Sequence, residues 1–151
     1  MINMAENNLN KKFKFIEEIA IADVAFEAYG TTETELFENA ALAVEETMVN
    51  TAGINPKVKK EIEIEADELD KLLFDFLSEL VYYKDAEALL FSKFKVNVGK
   101  NAKYKLMAEV SGEPFDSSKH ELRNDIKAIT WHMFKVEKTA KGWKCLIIVD
   151  V

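Results

Sequence analysis

The sequence predicts a single α+β domain, a two-layer sandwich in which two helices pack on a mostly antiparallel sheet. Two segments carry apolar residues at helical spacing, and the other regular segments alternate apolar and polar residues as strands do. The order is strand, helix, strand, helix and then a run of strands, which is typical of helices packed on an antiparallel sheet. With 151 residues, 48% of them hydrophobic, the chain is long and apolar enough to form one core.

Two helices are predicted, at about residues 34–50 and 68–83. Thr32 and Glu35 have the spacing of a capping box at the start of the first helix, and Asp67 is the expected N-cap of the second. The buried face of the second helix repeats apolar residues every three or four positions: Leu69, Leu72, Leu73, Phe76, Leu77, Leu80 and Val81.

The predicted strands lie at residues 24–29, 61–66, 94–98, 104–110, 126–136 and 143–149. In the second of these, Ile62 and Ile64 face one way and glutamates face the other, as in a sheet with one wet face. A turn at residues 99–101 joins the third and fourth strands into a hairpin. The last two segments are apolar on both faces, so both are expected to be central strands.

The formal net charge of −7 argues against an independent RNA-binding protein. Such proteins gain most of their affinity from Lys and Arg side chains that neutralise phosphates. The densest lysine cluster, Lys57, Lys59 and Lys60, is followed directly by three glutamates. We therefore expect no strong direct binding of nucleic acid.

The N-terminal residues and the single cysteine indicate a cytoplasmic protein without a membrane anchor. Residues 1–12 are polar and are expected to form a flexible leader before a domain at 13–151. They lack the apolar core of a signal peptide, and no apolar run approaches the roughly 20 residues that span a bilayer. Cys145 has no partner for an internal disulfide, which suits a reducing compartment.

Motifs of common enzyme classes are missing from the sequence. It contains no phosphate-binding glycine loop, no closely spaced cysteine pair, no His-Glu-x-x-His and no serine in a nucleophile elbow. Covalent catalysis therefore has little support.

Two acidic residues, one near the start of the sequence and one near its end, are the first candidates for a site. Asp23 lies in a small apolar run, where a carboxylate is either hydrogen-bonded to backbone donors at a strand end or a ligand with a partner elsewhere. Asp150 lies beside the carboxylate of Val151, and two such groups would suit a hard cation that prefers oxygen ligands. The alternative for Asp150 is a frayed, solvated terminus.

Three basic side chains are further candidates. Lys127 would share a strand face with Ile129, Trp131 and Met133, either as an edge lysine with its charge in water or as a cation facing carboxylates or a partner's phosphate. The other two candidates are histidines. A hydrogen-bonded core histidine is favoured over a metal ligand at position 132, and a solvated loop histidine over a weak metal ligand at position 120.

Three blocks of the sequence, in their order and spacing, resemble the archease family. The first covers residues 18–30, which include Asp23 and end in Ala-Tyr-Gly, and continues into Phe-Glu-Asn-Ala-Ala-Leu-Ala at 37–43. The second is Leu-Leu-Phe-Asp-Phe-Leu-Ser-Glu-Leu at 72–80 with Leu-Phe-Ser-Lys-Phe at 90–94. The third is the block 112–133, followed at the end of the sequence by Val-Asp-Val at 149–151.

This resemblance implies a metal-binding cofactor protein rather than an enzyme. Its partner would be the tRNA-splicing RNA ligase, whose guanylylation and multiple turnover it would promote. The resemblance also implies a site in which Asp23, Asp150 and Val151 bind a divalent cation such as Ca²⁺, Mg²⁺ or Mn²⁺, with Lys127 facing the partner. Ala20 and Ile21 replace the His-Thr pair that usually precedes the family aspartate, so we expect a weaker or altered site.

Two other functions remain open at the level of sequence. A metal-dependent hydrolase could use Asp23 and Asp150 with His120 or His132 as base, and it would need a cleft and an open coordination position. A metal-free, chaperone-like binding protein would instead expose an apolar patch.

Overall fold

The computed structural model describes residues 11–17 and 23–151, and it confirms the α+β fold. The helices are α1 (Glu33–Met48) and α2 (Leu69–Glu87), with a short 3-10 turn at Thr51–Gly53. The strands are β1 (Phe13–Phe15), β2 (Asp23–Gly30), β3 (Val58–Ala66), β4 (Leu89–Lys100), β5 (Tyr104–Pro114), β6 (Ala128–Ile129), β7 (Lys135–Thr139) and β8 (Gly142–Asp150). Neither helix of this described part combines the length and apolarity needed to cross a membrane.

The strands form two antiparallel sheets, so the strand layer is divided. One sheet has the order β1-β2-β8-β6, with β7 also paired to β8, and the other has the order β3-β5-β4. Helix α1 packs on β2 of the first sheet and on β4 of the second. The fully buried aromatic side chains Phe26, Phe37, Phe76 and Phe91 fill the space where helices and sheets meet.

Strand β8 is central, as predicted, but the prediction of one continuous strand at 126–136 was wrong. Met133 has a left-handed backbone with a φ of 54° and divides that segment into β6 and β7. Both short strands pair with β8 only, so they lie at the side of the sheet. Trp131 and Met133 are 48% and 52% exposed. Trp131 stacks on Phe74 of α2 with ring centroids 4.1 Å apart, so its apolar surface covers the outside of the domain and not its core.

Strands β4 and β5 are longer than the sequence pattern indicated. Strand β5 continues through Pro114, four residues beyond the predicted end at residue 110, so Gly112 and Glu113 belong to the strand. Strand β4 begins directly after α2, with Ala88 alone between them. Ala88 has a φ of 53°, and its N–H donates to the carbonyl of Lys84, which closes the last turn of the helix.

The two helix starts fit the predictions unequally. At α1, Thr32 Oγ1 accepts the N–H of Glu35 at 3.1 Å. The Glu35 carboxylate accepts the N–H of Thr31 at 2.6 Å, so the reciprocal bond reaches one residue further back than in a capping box. At α2 the N-cap prediction was wrong, because Glu68 holds that position without a side-chain bond and Asp67 precedes it.

Helix α1 also protects the edge of the three-stranded sheet. Strand β4 ends that sheet, and an uncovered edge leaves backbone N–H groups without partners. Three side chains along one face of α1 accept from these groups: Thr34 from Val98 at 3.1 Å, Glu38 from Val96 at 2.9 Å, and Glu45 from Phe91 at 3.1 Å. A polar ladder therefore fixes α1 against β4.

Candidate metal centre at the ends of β2 and β8

The antiparallel register places Asp23 directly opposite Asp150. Residues opposite each other in such a pair point to the same face of the sheet, with Cβ atoms about 4.5–5.5 Å apart. Val24, Phe26 and Ala28 alternate into the core, so Asp23 and Asp150 lie on the face turned away from it. Two residues 127 positions apart in sequence thus become neighbours at one corner of the sheet.

Lys127 reaches the same corner through its backbone. Its N–H donates to the carbonyl of Asp150 at 2.7 Å, and Ala128 pairs with Asp150 in the register of β6 and β8. The side chain of Lys127 is exposed. The predicted strand face shared with Trp131 and Met133 was wrong, because β6 ends at Ile129.

No partner within the described residues neutralises this corner. The side chains of Asp23, Asp150 and Lys127 form no ion pair or hydrogen bond with the residues at 11–17 and 23–151. Like charges directly opposite each other destabilise a strand pair, and a bound cation would remove that repulsion. The part of the chain that is described contains no group of three His, Cys, Asp or Glu side chains able to hold a metal, so further ligands from these residues would be main-chain, terminal or neutral side-chain oxygens. Such a donor set suits Ca²⁺, Mg²⁺ or Mn²⁺ better than Zn²⁺.

The surroundings of the pair are partly apolar. Val151 is half-buried and packs against the core. Asp23 also lines a cleft of about 390 Å³ together with Glu17, Glu46 and Arg123. Arg123 contacts the Glu46 carboxylate at 2.6 Å, so that arginine already has a partner. Ala20 and Ile21, the positions of the family His-Thr pair, lie outside the described residues.

The two histidines lie in environments opposite to those predicted. His132 is in the exposed turn between β6 and β7 and is not a core residue. His120 is buried: its Nδ1 accepts the N–H of Asp116 at 2.9 Å, so Nε2 carries the hydrogen that is donated to Glu113 at 2.9 Å. Both ring nitrogens are therefore occupied by structural bonds.

Glu113 is the acceptor that organises this loop. It accepts the N–H of Asn55, the Lys119 ammonium and His120, which together lower the pKa of its carboxyl to about 2. The third block of the family resemblance, residues 112–133, thus contains a structural network that attaches the loop after β5 to the segment before β3.

Glu45 is the buried acidic residue that the sequence analysis missed. It is 0% exposed, its Oε2 has no hydrogen-bond partner, and burial raises its pKa to about 8 despite the Phe91 N–H bond and the charge of Lys84. The available signal was its spacing of seven residues from Glu38 on the helix face that also carries Thr34. Cys145 is also buried, and burial raises the pKa of its thiol to about 12, so it is a core residue.

This geometry defines a class of protein, namely α+β domains with two antiparallel sheets and an acidic pair at one corner of a sheet. Residues 13–151 match the Archease protein family (MTH1598/TM1083). The chain is 42% identical to protein archease of Pyrococcus furiosus over 86% of its own length and 93% of the relative. It is 39% identical to protein archease of Sulfurisphaera tokodaii over 93% and 99% of the two chains. The chain therefore belongs to the archease family.

Solved structures agree with this assignment. The solution structure of Methanobacterium thermoautotrophicum protein 1598 superposes with a TM-score of 0.82 at 37% identity, covering 93% of this chain and 99% of that one. A Thermotoga maritima crystal structure, described as an archease and possible chaperone, shares the fold with a TM-score of 0.60 at 22% identity, covering 87% and 93% of the two chains.

Proposed function

We propose that this protein is a non-catalytic cofactor that binds a divalent cation and activates a tRNA-splicing RNA ligase. The observation that carries the proposal is the direct pairing of Asp23 with Asp150 on the outer face of the sheet, beside Val151. Asp23, Asp150 and Val151 are the proposed ligands, and Lys127 is the proposed contact to the ligase. The bound ion would supply positive charge at the edge of the domain, where a partner's active site can reach it.

The acidic composition fits this division of roles. A chain with a net charge of −7 is a poor carrier for a whole tRNA, so the ligase would hold the RNA. The archease would bring the cation or stabilise the conformation of the ligase that is competent for guanylylation and repeated turnover. The absence of His and Thr at positions 20 and 21 weakens the site in this proposal but leaves its two carboxylates in place.

A metal-free, chaperone-like role is the second candidate, and one observation favours it. Trp131 stacks on Phe74 at the surface of the domain, and Trp131 and Met133, two residues apart in the chain, are 48% and 52% exposed. The hydrolase has less support, because His120 is buried with both nitrogens engaged and His132 does not line the cleft at Asp23.

Loss of either carboxylate is expected to abolish most of the ligase activation. Asp23→Asn and Asp150→Asn remove one ligand charge each without changing side-chain volume, and such losses weaken metal sites by about 10-fold or more. The measurement is product formed per ligase molecule in a ligation assay with Mn²⁺, Mg²⁺ or Ca²⁺, accompanied by calorimetric titration of each ion into the protein alone.

Asp67→Asn is the matched control, since Asp67 is an exposed aspartate whose nearest described partner, Lys103, is 3.9 Å away. It should activate like the wild type. If the wild-type protein leaves ligase turnover unchanged, the proposal is wrong. If both aspartate variants activate fully while Trp131→Ala does not, the metal-free role replaces it.

A further inference from the structure

A second charged feature lies at the other end of the same two strands. A groove of about 660 Å³ is lined by four lysines, one glutamate and two large aromatic residues, among them Lys12, Lys141, Glu35 and Trp143. Tyr29 and Lys144, which pair across β2 and β8, also line it. Asp23 and Asp150 lie six residues along the strands, so about 20 Å separates the groove from the acidic pair.

The walls of this groove are fixed to the sheet by backbone contacts. The N–H of Tyr29 donates to the carbonyl of Lys12 at 2.9 Å, which holds the basic segment before β1 along β2. Gly142 has a φ of +145°, and a Cβ there would lie 2.3 Å from the carbonyl oxygen of Gly30. This close approach seats the β7–β8 hairpin, with Lys141 at its tip, against the start of α1. The lysines thus project from segments with defined positions.

The acidic side chains at the groove are already engaged. Glu35 accepts both the N–H and the hydroxyl of Thr31, at 2.6 and 3.0 Å. Glu137 lies 3.6 Å from Lys144 and forms no ion pair with the other lysines of the groove. Among the described residues, Lys11, Lys12 and Lys141 form no ion pair. The groove is therefore a basic region on an acidic protein, and at physiological ionic strength charges farther than about 8 Å away are largely screened.

The aromatic content favours a ligand with flat rings. Trp143 is half-buried, and its ring lies 5.8 Å from the Lys138 ammonium. The hydroxyl of Tyr29 donates to Glu27 at 2.8 Å, which orients that ring at the groove. Sites for single-stranded nucleic acid usually combine lysines along the sugar-phosphate backbone with aromatic rings on which the bases stack. An acidic peptide would satisfy the lysines but would make no use of the rings.

We propose that this groove binds a short single-stranded nucleic-acid segment, with Lys11, Lys12 and Lys141 on its phosphates and Trp143 against a base. The chain lacks a glycine-rich phosphate loop, and the groove contains no arginine. Both observations favour single-stranded nucleic acid over a nucleoside triphosphate as the ligand. Binding is weak, with a Kd of ~10⁻⁴–10⁻⁵ M, because the net charge is negative and few phosphates are contacted. This binding requires no ligase, so the nucleic-acid proposal and the proposed ligase activation can each fail without the other.

Charge reversal in the groove is expected to remove this binding. We expect fluorescein-labelled dodecauridylate to bind the wild-type protein at low salt, and Lys12→Glu/Lys141→Glu to weaken it about 10-fold or more. With about three phosphates neutralised, log K should fall with log[salt] with a slope of about −2. The measurement is fluorescence anisotropy with the protein and the oligonucleotide alone.

The matched control is Lys93→Glu/Lys95→Glu, which changes the net charge equally. Both residues are exposed and line a different lysine-containing cleft, on the three-stranded sheet. In 0.15 M salt this variant should bind within about 2-fold of the wild type, because at that ionic strength exposed charges farther than about 8 Å from the bound segment are largely screened. Equal losses in the two double variants would overturn the proposal.

Base stacking can be tested separately because the chain has only 2 tryptophans. In a Trp131→Phe background, Trp143 is the only source of tryptophan fluorescence, and oligouridylate is expected to quench it. Polyglutamate of the same charge is expected to leave it unchanged. Equal quenching by polyglutamate would identify an acidic peptide as the better ligand and contradict the nucleic-acid proposal.

Discussion

Glu45→Gln is expected to make the protein more stable than the wild type above about pH 8. Burial raises the pKa of Glu45 from 4.5 to about 8, so the folded state keeps a proton that the unfolded state has lost. Between these values, stability falls by ~1.4 kcal/mol per pH unit, and the total loss is about 4–5 kcal/mol. The stability is fully present below the unfolded pKa and is lost as the pH rises through the folded pKa.

Glutamine isolates this effect because it resembles the protonated acid. Its amide oxygen can still accept the N–H of Phe91, which Glu45 accepts at 3.1 Å. The N–H groups of the glutamine amide have no described acceptor, because Oε2 of Glu45 has no hydrogen-bond partner. The variant should therefore be ~1 kcal/mol less stable than the wild type at pH 5. The two stability curves should therefore cross between pH 5 and pH 8.

Urea unfolding at half-unit pH steps from 5 to 9 would measure the two curves. Glu38→Gln is the control, because it removes a carboxylate from a half-buried position on the same helix face. Parallel curves for the wild type and Glu45→Gln across this range would show that Glu45 does not hold its proton in the folded protein.

Gly112→Ala is expected to destabilise the domain by about 3–5 kcal/mol. Gly112 lies in the middle of the three-stranded sheet, paired with Val58 on one side and Phe91 on the other. A Cβ at this position would lie 1.7 Å from the carbonyl oxygen of Leu90 and 2.6 Å from Cα of Phe91. Both neighbours are backbone atoms beside an irregularity in the register of β4, so relief requires the strand to move. Overpacking of this kind costs at least as much as a typical core substitution.

Gly99→Ala provides the control within the same strand pair. No atom lies within 4 Å of the Cβ position at Gly99, and its φ is not in the left-handed region. Its stability should stay within ~0.5 kcal/mol of the wild type. Thermal melts should separate the variants by roughly 6–20 °C, since 1 kcal/mol corresponds to about 2–4 °C at this size. A Gly112→Ala melting temperature equal to that of Gly99→Ala would contradict this account.

Periodicity alone was sufficient for most of the regular elements. Both helices and the alternation in β3 follow from spacing, because one face of each must be buried. The segment at 126–136 misled for a physical reason: its alternate apolar residues fit a buried strand equally well. The left-handed turn at Met133 instead leaves Trp131 outside, stacked on Phe74. Nothing in the local pattern distinguishes the two arrangements.

The histidines and Glu45 illustrate the same limit for polar residues. A mixed-charge loop predicts solvent around His120, yet Glu113 and the amide of Asp116 satisfy both of its nitrogens inside the fold. A glutamate in a helix predicts an exposed side chain, yet Glu45 completes a ladder against strand β4, more than 40 residues further along the chain. Partners that lie far away in sequence decide the burial of such groups.

The sequence by itself determined the family, the two helices, and Asp23, Asp150 and Val151 as the residues to examine. Composition, periodicity and the order of motifs are local properties that the chain carries before it folds. Only the tertiary structure decided that Asp23 and Asp150 lie opposite each other, and that four lysines line one groove on a protein with a net charge of −7. Strand register and the seating of the hairpin set those distances, because charges interact through space and not along the chain.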